Sequence, residues 1–119
     1  MNTPIRKHKT YMSESDVKDD IKKILTKHGV WYFMPSMSGY GRSGIPDFVC
    51  CIMGRFLAIE AKFGRGTTNV NQDRELLAIG NSGGVSMIIN EVSIPTLEAY
   101  LAAIIALSID DELTLLFYD

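Results

Sequence analysis

Pro46-Asp47-Phe48-Val49-Cys50-Cys51-Ile52-Met53-Gly54-Arg55-Phe56-Leu57-Ala58-Ile59-Glu60-Ala61-Lys62 reads as a β-hairpin. Two apolar runs flank Gly54-Arg55, and Asp47, Glu60 and Lys62 stand at the open end. Taken as a type II′ reversal, Gly54-Arg55 puts glycine where a positive φ is needed. Met53 then pairs with Phe56, Val49 with Glu60 and Asp47 with Lys62. Side chains alternate between faces, so Asp47, Glu60 and Lys62 all project from one face. Opposed Cβ atoms lie about 5 Å apart and diagonal ones roughly 7–8 Å or less, close enough for two carboxylates to share one ion. A reversal with one residue more or fewer would part them.

A Glu-x-Lys pair on a half-solvated strand needs no special explanation. Here both faces of the hairpin are apolar. Phe48, Cys50, Ile52, Leu57 and Ile59 line one side, and Val49, Cys51, Met53, Phe56 and Ala58 the other. Such strands are expected to be central and covered. Charges among them cost free energy unless paired or ligated, so a divalent-cation site is the reading that fits.

These residues resemble the PD-(D/E)XK nuclease superfamily, and within it the VRR-NUC (virus-type replication-repair nuclease) family. The resemblance spans roughly residues 13–91 and rests on Glu14, Gly44-Ile45-Pro46-Asp47, Glu60-Ala61-Lys62 and Gln72. It implies an α/β restriction-endonuclease-like core, a mixed β-sheet flanked by helices in the order αβββαβα. It also implies Mg²⁺-dependent hydrolysis of DNA phosphodiester bonds, with Mn²⁺ able to substitute. The domains appended in large repair nucleases do not accompany the motif, so the minimal phage or bacterial form is expected. Free-standing members suggest an endonuclease acting on branched DNA as a homodimer, a Holliday-junction resolvase. A nicking or exonuclease activity, or a non-catalytic DNA-binding module, are the alternatives.

By the same resemblance, Asp47, Glu60 and the main-chain carbonyl of Ala61 are the expected metal ligands, and Lys62 is the expected partner of the attacking water. A plain Asp47–Lys62 ion pair is its structural alternative. Glu14, in the first turn of a helix, is favoured there by the helix dipole alone. The resemblance adds a contact with metal-bound water or a second ion. Gln72 closes Asn69-Val70-Asn71-Gln72, which has capping-box spacing, while the resemblance places it at the active centre.

At 119 residues the chain is expected to form one domain. Its formal charge is −2, but unevenly distributed. Residues 1–74 carry all 12 Lys and Arg against 7 acids, a net +5, and residues 75–119 carry 7 acids and no Lys or Arg. The motif-bearing part can therefore present a basic face to phosphates. Lys18, Lys22, Lys23 and Lys27 equally suit a solvated helix face. Cys50 and Cys51 are adjacent and point to opposite faces, so no disulfide framework and a reducing cytoplasm are expected. Residues 1–10 are charged and lack an apolar core, and no apolar run reaches membrane-spanning length.

Periodicity predicts helices over 13–28, 70–81 and 94–107, with strands over 30–34, 46–53, 56–62 and 85–89. The tail 111–118 alternates weakly and suits a strand or a packed extension. Leu97, Leu101, Ile104, Ile105 and Leu107 offer a dimer face or an internal one. The glycine- and serine-rich stretch 36–44 leads into the motif and suits an approach to a DNA backbone. Arg42 is its candidate phosphate contact and Tyr40 its candidate stacking or sugar contact. Arg65, in the loop after Lys62, is a weaker candidate. His8 and His28 match no metal spacing.

Overall fold

The computed structural model describes residues 10–36 and 41–118, with side chains as far as residue 109. Elements follow the expected αβββαβα order: α1 (Glu14–Lys27), β1 (Trp31–Phe33), β2 (Phe48–Ile52), β3 (Arg55–Ala61), α2 (Val70–Asn81), β4 (Val85–Ile89) and α3 (Ile94–Tyr118). Ser13 caps α1 by accepting the Asp16 amide on Oγ, and Gly29 follows its end with a φ of 67°. A residue in the left-handed region just past a helix is a normal stop.

The four strands form one sheet in the order β1-β2-β3-β4. β1, β2 and β3 are antiparallel neighbours, and β3 pairs with β4 in parallel. A parallel pair needs a crossover, and α2 supplies it. On one face Val17, Ile21 and Leu25 of α1 and Leu97 and Leu101 of α3 meet Phe48, Cys50, Ile52, Leu57 and Ile59. All of these are at most 3% exposed. Burying a side chain of this size contributes about 1.5–3 kcal/mol, so this layer holds the sheet against two helices. Burial pushes the Cys50 thiol up to about 12, which leaves it inert, as expected of a core cysteine.

α2 covers only part of the opposite face. Ser86 of β4 donates to the Leu76 carbonyl of α2 at 3.2 Å, and Ala58 and Glu60 are buried beneath this layer. Toward β1 the face is open. Trp31 is 61% exposed, Phe33 47% and Phe56 45%, and Cys51 is exposed beside them. The expectation that the hairpin is covered on both faces therefore holds for Leu57–Ala61 of β3 and fails around Cys51 and Phe56 near the reversal, because a single helix cannot span four strands.

The hairpin register differs from the one expected. Ile52 pairs with Arg55 and Cys51 with Phe56, so Met53-Gly54, not Gly54-Arg55, forms the reversal. Both residues have positive φ, 48° and 79°, the signature of a type I′ turn, whose twist matches that of the strands. Left-handed Met53 costs about 1–2 kcal/mol, and the sequence offers no sign of it. In exchange Arg55 enters the ladder, and its guanidinium donates to Ser108 Oγ of α3 at 3.0 Å. The reversal keeps two residues but moves by one. Asp47 is thereby brought opposite Glu60 instead of Lys62, and all three remain on one face.

The third helix also departs from expectation. It runs unbroken to Tyr118, through residues 111–118. Asp110-Asp111-Glu112 interrupts the apolar pattern, but no Gly or Pro stops the helix. Leu97 and Leu101 are fully buried, and Ile104 and Ile105 pack against the core. The apolar stripe is thus largely spent inside the molecule, and of the five residues named for a dimer face only Leu107 is exposed. No helix among the described residues is long and apolar enough to cross a membrane.

Gly44 joins the loop before the motif to α2. Its φ is 87°, and a Cβ there would lie 2.8 Å from the Gln72 nitrogen and closer still to the Asn71 carbonyl group. Asn71 Nδ2 also donates to Ser43 Oγ at 2.8 Å. Glycine is required twice over, for backbone angle and for space. We expect Gly44→Ala to destabilise the protein by about 2–4 kcal/mol in urea unfolding. Gly29→Ala, with a φ of 67° and open space around its Cβ, should cost only about 1 kcal/mol. Equal losses would show that the approach of α2 is not what demands Gly44.

Candidate metal centre

The open end of the hairpin lies between the first turns of α1 and α2. Asp47 precedes β2 and Glu60 lies near the end of β3, and the observed register, continued one residue past Phe48 and Ile59, sets them opposite one another. Asp47 Oδ2 accepts the Ala61 N–H at 2.8 Å. That bond pins the carboxylate across the strand pair and leaves Oδ1 for another partner. In an extended strand the N–H and carbonyl of one residue point the same way, so the Ala61 carbonyl is directed toward the Asp47 side.

Glu60 is 2% exposed. Its Oε1 accepts Gln72 Nε2 at 3.0 Å and lies 3.6 Å from Lys62 Nζ. Its Oε2 is buried with no hydrogen-bond partner. A buried carboxylate oxygen left alone costs about 1–3 kcal/mol or more, and such an atom in a folded protein calls for an ion or water. Burial, reinforced by the Asp47 charge and only partly opposed by Lys62, raises the Glu60 carboxyl to about 7.

Lys62 is 13% exposed and belongs to Glu60. The counter-ion of Asp47 is Lys18, at 3.4 Å, which also lies 3.5 Å from Glu14. The expected alternative of an Asp47–Lys62 pair is therefore replaced, because the shifted register puts Lys62 one step beyond Asp47. Glu14 reaches the centre through Lys18. Gln72 satisfies both of its readings at once. Its Oε1 accepts the Asn69 amide at 3.0 Å, and its own amide donates to Asn69 Oδ1 at 2.9 Å, completing the capping box. Its Nε2 is the end that reaches Glu60.

The structure gathers Asp47, Glu60, Lys62, Glu14 and Gln72 at one corner and gives the expected DNA contacts a different standing. Arg42 makes a two-pronged pair with Glu75 of α2, at 2.8 and 3.0 Å, although its side chain is 75% exposed. It ties the loop to α2. Arg65 is exposed on the loop after β3, whose Gly64 amide is held by Glu91 at 3.0 Å. Tyr40 lies outside the described residues.

Three side chains at or near the centre were not legible as such in the sequence. Lys18 sits in a run of lysines that reads equally well as a solvated face, and its i, i+4 spacing from Glu14 was the one available signal. Trp31 and Phe33, with ring centroids 5.7 Å apart, lie on the same sheet face as Asp47 and Glu60. Phe33 pairs with Val49, two residues from Asp47.

The donor set fits a hard divalent cation. Two carboxylates are present, one with an orphaned oxygen, beside a main-chain carbonyl. Among the described residues no three Asp, Glu, His or Cys side chains converge. A small cation that keeps several waters does not require three.

The raised Glu60 carboxyl makes stability depend on pH. Between its unfolded value near 4.5 and its folded value of about 7, the native state holds a proton that the unfolded chain has lost. Its contribution to stability therefore falls as pH rises through that window and is smallest above it. Glu60→Gln should stabilise the metal-free protein at pH 8 by about 1–3 kcal/mol and flatten this fall in denaturation curves. An unchanged pH profile would mean that Glu60 is not a desolvated carboxylate.

Comparisons with protein-family models, with curated proteins and with solved structures find no match to this chain.

Proposed function

We propose that the chain is a divalent-metal-dependent deoxyribonuclease with a restriction-endonuclease-like core. The observation that carries this reading is the orphaned, buried Oε2 of Glu60 opposite Asp47, with Lys62 alongside. A cation bound there would supply the partner that this oxygen lacks.

Asp47, Glu60 and the Ala61 carbonyl would hold Mg²⁺. When bound, such an ion neutralises a phosphate oxygen and activates a water. The side chains around it do the rest. Ala61 N–H fixes Asp47, and Gln72 Nε2 fixes Glu60 so that Oε2 stays free. Lys62, largely buried and held against Glu60, keeps a positive charge where negative charge grows on the phosphate. It also orients the attacking water. The Lys62 ammonium is stronger in this role for being shielded from solvent.

The finer reading is an endonuclease on branched DNA, resolvase-like and homodimeric, with two centres cutting opposed strands. The exposed Trp31 and Phe33 beside the site support a substrate with unpaired bases, since every base can stack on an aromatic face. A basic N-terminal part supports phosphate binding.

A panel of linear duplex, nicked, flap and four-way DNA, run with Mg²⁺, Mn²⁺ and chelator, tests this. Cleavage should require the metal and fall on the order of 10²–10⁴-fold in Asp47→Ala and in Lys62→Ala. Trp31→Ala with Phe33→Ala should weaken cutting of flap and four-way DNA more than of duplex. Cleavage that survives both Asp47→Ala and Lys62→Ala would place the chemistry elsewhere. Linear duplex cut as well as a junction would remove the resolvase reading.

A further inference from the structure

Among the described residues, Lys18 is a charged side chain at this corner to which the nuclease reading gives no task. It stands one turn along α1 from Glu14, so the helix places both on the same face. Its ammonium lies between Glu14 Oε2 at 3.5 Å and Asp47 Oδ1 at 3.4 Å. Asp47 Oδ2 is already taken by the Ala61 amide. Oδ1 is thus the oxygen that Asp47 has left for a cation, and Lys18 is on it.

The two lysines of the centre are held differently. Lys62 follows Glu60 on the same strand edge and is 13% exposed. Lys18 reaches the corner from a helix on a four-carbon stem and is 29% exposed. Its ammonium has a path to solvent and a second acid, Glu14, to rest on. Burial by itself would lower its pKa, but Asp47 and Glu14 more than offset this and hold it above the ordinary lysine value. The charge is therefore permanent at neutral pH.

We propose that Lys18 is a resident counter-ion of the cation site: it occupies Asp47 while no divalent ion is present, competes with that ion for Oδ1, and withdraws onto Glu14 when the ion binds. This rests on the metal-site reading above. An ammonium and a divalent ion on one carboxylate oxygen repel each other strongly. One must leave, and the mobile one is the side chain. The arrangement keeps Asp47 and Glu14 in place before the metal arrives and weakens metal affinity in return. Glu14 then acts as a positioning residue for Lys18.

Calorimetric titration of the full chain with MnCl₂, without DNA, tests the competition. Lys18→Met should bind Mn²⁺ on the order of tenfold more tightly than the unsubstituted protein. Lys18→Arg, which keeps the charge, should stay close to it. Melting provides a second readout. Lys18→Met should lower the metal-free Tm and leave the Mn²⁺-saturated Tm nearly unchanged, because the ion replaces the missing charge. Lys18→Gln serves the same purpose should the methionine variant fail to fold. Equal or weaker Mn²⁺ binding in a folded, charge-removed variant overturns the proposal. Asp47→Asn separates the two levels: if it leaves Mn²⁺ binding intact, or if the unsubstituted protein binds none, the metal site itself is wrong and the competition falls with it.

Discussion

The burial of Glu60 directly across from Asp47 is the constraint around which the rest is arranged. Two carboxylates at one end of a strand pair repel, and one of them is almost wholly out of water. Every neighbour answers that cost. The Ala61 amide takes one oxygen of Asp47, Gln72 and Lys62 take one oxygen of Glu60, and Lys18 takes the other oxygen of Asp47. One oxygen of Glu60 receives nothing from the protein. A fold selected for stability alone would replace such a pair with apolar residues, so the cost points to a task.

The scaffold delivers these groups from elements far apart in sequence. α1 and α3 bury one face of the sheet and bring the first turn of α1, with Glu14 and Lys18, to the end of β2. The β3–α2–β4 crossover brings the capping end of α2 to the end of β3. Gly44 lets the loop before Asp47 touch the backbone of α2, so motif and helix are fixed to each other by direct contact. Arg42 and Glu75 add a charged tie at the same junction. The site is therefore preorganised by packing, which a catalytic or ligating centre needs.

Much of this was legible in the chain. Periodicity located every helix and strand in order, and the parity of the hairpin put both acids and Lys62 on one face. Parity survived a wrong register because the reversal slid by one residue without changing length. The slip was invisible because it needs a left-handed Met53, which propensity argues against. α3 overran its expected end because charge interrupts an apolar pattern without interrupting a helix. Gln72 posed a false choice between cap and site. A side-chain amide has an acceptor end and a donor end, and each serves one of the two. Partners such as Glu75 for Arg42, and Asp47 for Lys18, are long-range pairings that no local pattern reports.

The proposed function needs a divalent cation between Asp47 and Glu60. Anomalous diffraction from crystals grown with Mn²⁺ addresses it most directly. A manganese peak bounded by Asp47 Oδ1, Glu60 Oε2 and the Ala61 carbonyl is expected. A well-ordered corner with no peak, and with both carboxylates still facing one another, would contradict it.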